Sequence, residues 1–489
     1  MNTQPGVQPY AELRETHSAI VLLLGDRAYK FKKPVDLGFL DFSTEALRVQ
    51  ACRREVALNR RMAPDVYLGV GNLEQPERTD EPVVVMRRMP DERRLSTLVA
   101  EGARVDVELR ELARDLAVFH GRAQVHPRLQ DEARRDAVLR RWRESIAQVR
   151  GLGVLDPVQL GEVSVLVERF LAGREILFDE RITAGLVIDG HGDLQADDVF
   201  CLPDGPRALD CLEFDDALRH VDRVDDAAFL AMDLERLGAP ALAEAFMDAY
   251  LEFSGDPGPA GLRHHYIAYR AFVRAKVMCL RVAQGDRAAR RLASDLVDLT
   301  LRHLVRGDVR LVLVGGLPGT GKSTLAGLLA DRRGYVLLSS DRIRKELAGI
   351  APETPAPEPY ETGLYSPEAT DATYAELNRR AQALLARGES VVLDASWTHA
   401  RHREATGLVA VQTDATLVAL RCHVAADLAA ERMRTRMRGA SDADEVIAAR
   451  LSRDTSDWAS ASVIETGGSP EESLSDALGA LEVAPGGAG

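Results

Sequence analysis

The chain has 489 residues, 46% hydrophobic and 28% charged, with a net charge of −14 at pH 7. That length exceeds one ordinary domain and points to two to four, and the apolar content gives each a core to bury. The residues from Asp308 onward and those before it each carry a net −7. This disfavours a broad nucleic-acid footprint on either part and leaves room only for a local basic groove.

Cys52, Cys201, Cys211, Cys279 and Cys422 are scattered and form no C-x-x-C pair. Neither zinc nor a disulfide framework is expected; buried, reduced thiols in a cytoplasmic protein are. No basic segment followed by an apolar stretch opens the chain, so no secretory signal is expected. No apolar run is long enough to span a bilayer, so no membrane association is expected either. Only six residues are lysine: Lys30, Lys32, Lys33, Lys276, Lys322 and Lys345. Three of them cluster at 30–33.

In chain order, residues 1–10 are polar, hold two prolines and read as a frayed end. Ala19–Leu24, the pair Gly25-Asp26 and Arg27–Lys32 read as a β-hairpin with a tight turn. In its second strand Tyr29-Lys30-Phe31-Lys32 alternates, which sends both lysines to one face. Ser43–Met62 has helical periodicity with Ser43 as its N-cap. Val83–Met86 is a strand, and Leu109, Leu112, Ala113, Leu116 and Phe119 mark a helix near 106–124. Residues 188–201 form a loop and strand dense in His, Asp and Gly, and long amphipathic helices follow over 222–253 and 263–305. Strands first and helices afterwards give a two-lobed α+β domain, expected over 1–306.

A second domain is expected over 307–482, with 483–489 a disordered tail. Val309–Val314 is a β-branched apolar run, as suits a buried parallel strand. It enters the pattern G-x-x-x-x-G-K-[ST], filled by Gly316, Gly321, Lys322 and Ser323, with Gly319, Thr320 and Thr324 in the same loop. Glycines let backbone N–H groups turn inward around a phosphate, and the following helix adds its positive end. Lys322 would reach the β- and γ-phosphates of ATP, and the Ser323 hydroxyl would ligate Mg²⁺. Beyond it come helix 322–331, strand 335–339, helix 341–348, a Pro-rich loop 351–367 and helix 368–387. Strand 390–394, helix 400–411, strand 415–421 and helix 425–438 follow. This alternation predicts an α/β fold with a parallel sheet covered on both faces.

Within that fold Asp394 ends an apolar strand, where it holds Mg²⁺ through water or orients the phosphate loop, or else caps the next turn. Asp341 is placed to accept the proton of an attacking hydroxyl. Arg344, one turn later on the same face, pairs with it or clamps a substrate anion. An N-cap Asp beside a surface Arg is the structural alternative. Arg432 and Arg436 share one helix face and Arg434 and Arg438 another, which suits a lid closing its arginines over phosphates.

GLPGTGKST, SSDRIRK, VVLDASW and the arginine-rich segment resemble the P-loop kinases that include polynucleotide 5′-kinase, gluconate kinase and zeta-type toxins, over roughly 308–480. The resemblance implies that Asp341 is the base and Arg344 a substrate contact. In the first domain His191-Gly192-Asp193 and the residues through Asp198 resemble the H-G-D-x-x-x-x-N loop of aminoglycoside phosphotransferases and choline kinases. That likeness covers about 12–300 and implies a protein-kinase fold. It makes Asp193 the catalytic base and His191 a brace for the loop. Asp198 stands where the family has a magnesium-binding Asn. The next metal ligand would be Glu213, in Leu212-Glu213-Phe214, with Asp210 as the alternative. Lys30 or Lys32 would contact the α/β-phosphates and pair with Glu55; Glu45 is less well placed. Val83–Met89 would face adenine, and no glycine-rich loop precedes the hairpin.

The expected protein is therefore a bifunctional ATP- and Mg-dependent phosphotransferase with two nucleotide sites and a small-molecule hydroxyl acceptor. The acceptor would be bound by loop 351–367 and by the helices after 222. Two alternatives stand beside it. One is a nucleotide-sensing regulator with an N-terminal pseudokinase. The other is a polynucleotide 5′-hydroxyl kinase, against which the acidic balance speaks.

Overall fold

The computed structural model describes residues 10–16, 18–36, 38, 40–74, 80–351, 354, 363–435 and 456–483. It divides into two compact units. The first comprises 1–162, 178–258 and 266–303; the second comprises 163–177, 259–265 and 304–489.

The first unit opens with strands β1 (Ala11–Glu15), β2 (Ala19–Leu24), β3 (Arg27–Lys32), β4 (Tyr67–Leu73) and β5 (Glu81–Arg87). They form an antiparallel sheet in the order β1-β2-β3-β5-β4. The expected hairpin is present, with Ala19 opposite Lys32 and Leu24 opposite Arg27. Helix α1 (Glu45–Asn59) lies on this sheet. Its N-cap is Thr44 rather than Ser43: the Asp41 carboxylate takes the Ser43 N–H in a local turn, so the Thr44 hydroxyl receives the Leu47 N–H. Cys52 and Val56 of α1 pack with Val84 of β5 and with Phe200, Leu202 and Leu209, joining the sheet to the chain beyond the catalytic-type loop.

The helices that follow are α2 (Leu95–Ala100), α3 (Asp106–Arg122), α4 (Arg135–Leu152), α5 (Pro157–Ala172), α6 (Glu175–Thr183), α7 (Asp216–Arg219), α8 (Arg223–Arg236), α9 (Pro240–Ser254), α10 (Ala260–Ala283) and α11 (Ala289–Arg306); most of α5, the first residues of α6 and α10 and the last of α11 belong to the second unit. Two small antiparallel pairs sit among them. β6 (Val187–Asp189) pairs with β9 (His220–Asp222), and β7 (Val199–Leu202) with β8 (Gly205–Ala208). The two long helices expected after 222 are each broken. Gly238 takes a left-handed turn before Pro240, and Gly285 another between α10 and α11.

The second unit is α/β. Strands β10 (Arg310–Gly315), β11 (Val336–Ser339), β12 (Val391–Asp394), β13 (Thr416–His423) and β14 (Ser462–Glu465) form a wholly parallel sheet in the order β11-β12-β10-β13-β14. Helices α12 (Lys322–Arg333), α13 (Ser340–Leu347), α14 (Pro367–Leu385), α15 (Ala400–Gln412), α16 (Ala426–Thr435) and α17 (Pro470–Val483) accompany it. Val312, Leu325, Leu329, Val392, Leu420 and Leu474 belong to its core. The segment 163–177 joins this unit through definite bonds. Arg169 pairs with Asp308 at 2.8 Å, and the buried Arg174 donates to the Thr413 carbonyl at 2.5 Å. Among the described residues no helix is long and apolar enough to cross a membrane.

Candidate functional site

The second unit places its phosphate loop where the central strand β10 turns into α12, with Gly321 at the helix N-cap. The turn requires glycine at 319: its φ is +81°, and a Cβ there would meet the Ala429 carbonyl oxygen at 2.5 Å. Thr320 is buried and braces the loop from within, its hydroxyl donating to the Leu317 carbonyl at 2.8 Å. The Thr466 hydroxyl donates to the Thr320 carbonyl at 2.6 Å. Gly316 receives a weak bond from the far side, its N–H donating to the Ser396 carbonyl at 3.4 Å. Ser323 and Thr324 are exposed on the first turn of α12, and Lys322 is half-buried beside them. Asp394 ends β12 level with Val314 of β10 and is buried. Lys322 and Asp394 both act on the Cys422 thiol. Burial pushes that thiol up to about 12, with Lys322 drawing it down and Asp394 adding to the rise. Lys322, at the start of α12, and Asp394, at the end of β12, thus both lie within electrostatic reach of Cys422.

Asp341 and Arg344 occupy the first and second turns of α13. The expected pair between them is not the bond Arg344 makes. Its guanidinium is turned to the Leu364 carbonyl at 2.8 Å and the Thr370 hydroxyl at 3.1 Å, and stacks 4.8 Å from the Tyr365 ring. Burial drives this, because the side chain is enclosed between α13 and the start of α14 and takes the acceptors offered there. Asp341 and Arg344 nevertheless act oppositely on the buried Tyr374 hydroxyl, which donates or accepts with Ser396 at 3.3 Å. Arg432 also differs from a phosphate clamp in this conformation: it donates to the Thr466 carbonyl at 2.8 Å beside Gly321. Arg436 and Arg438 lie outside the described residues.

In the first unit the two lysines of β3 do share a face, and Glu55 is the reason both can be buried. Its carboxylate, fully enclosed on α1, takes Lys30 at 2.9 Å on one oxygen and Lys32 at 2.6 Å on the other. Each lysine has a second acidic partner, Asp210 for Lys30 at 2.7 Å and Glu213 for Lys32 at 2.6 Å. Burial works against the charge of both lysines, yet these carboxylates hold Lys30 well above, and Lys32 above, the ordinary range. Asp210 is held low, chiefly by Lys30.

Asp193, Asp198 and Asp210 act on one another. Burial raises Asp193 to about 6, with Arg274 opposing and Asp210 reinforcing the shift. Burial raises Asp198 further, and Asp210 and Asp193 add to it. Glu213 bonds Lys32 at 2.6 Å. Asp210 also carries a φ of +61°, a conformation non-glycine residues seldom adopt. Its N–H donates to the Tyr67 hydroxyl at 3.1 Å. Of the two residues expected to complete a metal set, Asp210 is the one beside Asp193 and Asp198. Among the described residues, three or more His, Cys, Asp or Glu side chains nowhere gather as a ready metal cage.

The loop that presents Asp193 is gripped from below by residues the sequence reading passed over. Asp226 on α8 accepts the N–H groups of His191 and Gly192, each at 2.7 Å, and bonds His120 at 2.9 Å. Burial opposes its charge, but His120 and His191 keep it well below the usual carboxylate range. Asp233, two turns along the same helix, accepts the Ala196 N–H at 2.9 Å. His191 itself is buried and bonds the Leu209 carbonyl at 3.0 Å; burial lowers its pKa, with Asp226 opposing. Arg61 donates to the Asp189 and Gly190 carbonyls at 3.0 and 2.8 Å. Asn59, one turn after Glu55, accepts the Cys211 N–H at 2.8 Å. The i, i+4 spacing of Glu55 and Asn59 and the acidic run at the head of α8 were available signals.

A family model described as an AAA domain matches residues 311–456. The chain is 44% identical over 475 residues to the uncharacterized protein Rv2004c of Mycobacterium tuberculosis and to the uncharacterized protein Mb2027c of Mycobacterium bovis, covering 96% of this chain and 95% of each relative. Among solved structures, a choline/ethanolamine kinase family protein from Mesorhizobium loti is similar with 15% identity and a TM-score of 0.34, covering 61% of this chain and 92% of that one. A sugar kinase from Janibacter is similar with 20% identity and a TM-score of 0.28, covering 36% of this chain and 96% of that one.

Proposed function

This chain belongs to the family of the mycobacterial protein Rv2004c, and we propose that it is a phosphotransferase with two nucleotide sites, each moving the γ-phosphate of ATP to a hydroxyl of a small molecule. The observation that carries the reading is the phosphate loop at the N-terminus of α12, with Lys322 at the start of that helix and the buried Asp394 at the end of β12. Backbone N–H groups and the helix end supply positive potential for a polyphosphate, and Lys322 adds a full charge where the transition state needs it. Mg²⁺ takes hard oxygen donors and is commonly held by one or two protein groups together with phosphate oxygens. Ser323 with Asp394, and Asp198 with Asp210, are donor sets of that kind. The metal supplies neutralisation of phosphate charge when bound. Asp341 on the second unit and Asp193 on the first accept the proton of the attacking hydroxyl.

The two units differ in readiness. In the first, Lys30 would turn from Asp210 and Glu55 toward the phosphates, while Lys32 stays locked between Glu55 and Glu213. Asp198 adds a carboxyl where an amide would serve, and burial, with Asp210 and Asp193 adding to it, raises its pKa. That substitution also supports the second reading, in which the first unit binds nucleotide and regulates the second without turning over. The screen that separates them offers hydroxylated metabolites and 5′-OH oligonucleotides with γ-labelled ATP to the wild type, Lys322→Ala and Asp193→Ala. Transfer to one acceptor lost in Asp193→Ala, with transfer to another lost in Lys322→Ala, supports two active sites. Transfer confined to the site of Lys322 supports the regulator.

The raised pKa of Asp193 gives a further expectation. A base must be ionised to act, so acceptor-dependent transfer by Lys322→Ala should rise with pH through an apparent pKa near 6. The stability effect has the opposite sense. The folded carboxyl holds its proton over a window where the unfolded one, at 3.8, has lost it, so this group's contribution to stability falls as pH rises from about 4 to 6. A flat rate profile from pH 5 to 8 would count against Asp193 as the base.

A further inference from the structure

A cleft of about 810 Å³ opens in the second unit between the phosphate loop, the ends of β12 and β13 and helix α16. Its floor is formed by two buried tryptophans. Trp397 and Trp458 pack so closely under β10 that a Cβ on Gly315 would meet the Trp458 ring at 2.4 Å and that of Trp397 at 3.0 Å. Pro318 of the loop and Ala429 and Met433 of α16 form apolar walls. Trp397 has a φ of +53°, which a bulky residue adopts only when its surroundings impose it. Here the Tyr374 hydroxyl accepts its N–H at 3.2 Å and Arg403 donates to its carbonyl at 2.7 Å. The indole is thus held in place by groups on two other elements.

One cation enters this apolar setting without a partner. Arg421, level with Gly315 at the end of β13, lines the cleft, and its Nε is buried with no hydrogen-bond acceptor among the described residues. Of the other charged residues lining the cleft, His423 bonds Glu465 at 3.0 Å, and Asp457 gives Arg403 its backbone carbonyl at 2.6 Å. A buried guanidinium donor without an acceptor is what an anionic ligand group would satisfy. The walls decide the rest of the ligand. Ser396, Thr398 and Ser456 offer a few hydroxyl partners, but each further hydroxyl of a polyol set against Ala, Met and Trp would lose water without gaining one, whereas a flat aromatic body gains from those apolar surfaces.

Building on the phosphotransferase reading above, we propose that this cleft holds the acceptor of the second unit. That acceptor carries an aromatic ring over the tryptophan floor, an anionic group against Arg421 and the hydroxyl that is phosphorylated. Nucleoside monophosphates and hydroxylated aromatic acids share this chemistry; gluconate-like polyols do not. In the transfer the acceptor oxygen bonds the γ-phosphorus, the bond from that phosphorus to the β–γ bridging oxygen breaks, ADP departs and the hydroxyl proton is released to a base.

Calorimetry with the full chain tests this, with Mg–ADP saturating so that nucleotide sites are filled. The probes are the four common ribonucleoside 5′-monophosphates, 3- and 4-hydroxybenzoate, and gluconate. At least one aromatic anion should bind tenfold or more tightly than gluconate, and the two probe groups tell a nucleotide from an aromatic acid. Arg421→Ala should weaken that binding at least tenfold, with Arg421→Lys recovering part of it. Two of the three tryptophans in the chain form the floor, so the same ligand should alter tryptophan emission. A wild type that binds Mg–ADP but prefers gluconate, or binds no aromatic anion, overturns the inference about the acceptor alone. A wild type that fails to bind Mg–ADP removes the phosphotransferase reading beneath it.

Discussion

Lys322→Ala should reduce ATP turnover by the second unit about 10²–10³-fold, the usual cost of removing one group aimed at developing charge in a protected site. The physical reason is local. Three glycines with positive φ, at 316, 319 and 321, wrap the chain so that backbone N–H groups converge, but a neutral cradle does not balance a triphosphate. Lys322 opens α12 directly after these glycines, and Asp394 ends the neighbouring strand β12. Its loss should not unfold the unit, because the side chain is half-buried and the strand and helix that hold it are anchored by Val312, Leu325 and Leu329. The variant should therefore keep its melting temperature within a degree or two of wild type while turnover collapses. A steady-state ATPase assay beside a thermal melt measures both, and unchanged turnover would remove this unit's activity from the account.

Glu55→Gln should be the most damaging single change in the first unit, costing about 3–5 kcal/mol, the range for breaking a buried ion pair from one side. One carboxylate serves two ammonium groups there: Glu55 is fully enclosed, Lys32 is 3% exposed and Lys30 is half-buried. Neutralising Glu55 leaves Lys30 and Lys32 facing one another with only Asp210 and Glu213 to balance them. Adding Lys32→Met removes one of the stranded charges and should recover about half of the loss. Urea unfolding followed by circular dichroism measures both. An equal cost for the single and double variants would mean that the lysines do not depend on Glu55 as described.

What could be read from the sequence was what local chemistry dictates. The phosphate loop needs glycines, Lys322 and a strand before it within sixteen residues, and the structure forms each of them. The hairpin of β2 and β3 was equally local, and alternation alone put Lys30 and Lys32 on one face. Readings that needed the third dimension went differently. Nothing in Leu209–Asp215 distinguishes Asp210 from Glu213, because the choice depends on which carboxylate the chain turns toward Asp193 and Asp198. The segment 163–177 joins the second unit through Arg169 and Arg174, bonds to residues far along the chain that no composition shift announces. Arg344 was read from helical spacing as pairing with Asp341 or clamping a substrate anion; the structure bonds it to the Leu364 carbonyl and the Thr370 hydroxyl. Strands β1 and β4 escaped notice because each lies at a sheet edge and exposes apolar side chains such as Leu13, Leu68 and Leu73.

Two independent nucleotide sites in one chain are the centre of this account, and binding stoichiometry tests them most directly. Titration of the full chain with ADP in the presence of Mg²⁺ should give two sites per chain for the wild type. It should give one for Lys322→Ala and none for the variant that also carries Lys30→Ala. A single site in the wild type that survives Lys322→Ala would contradict the account.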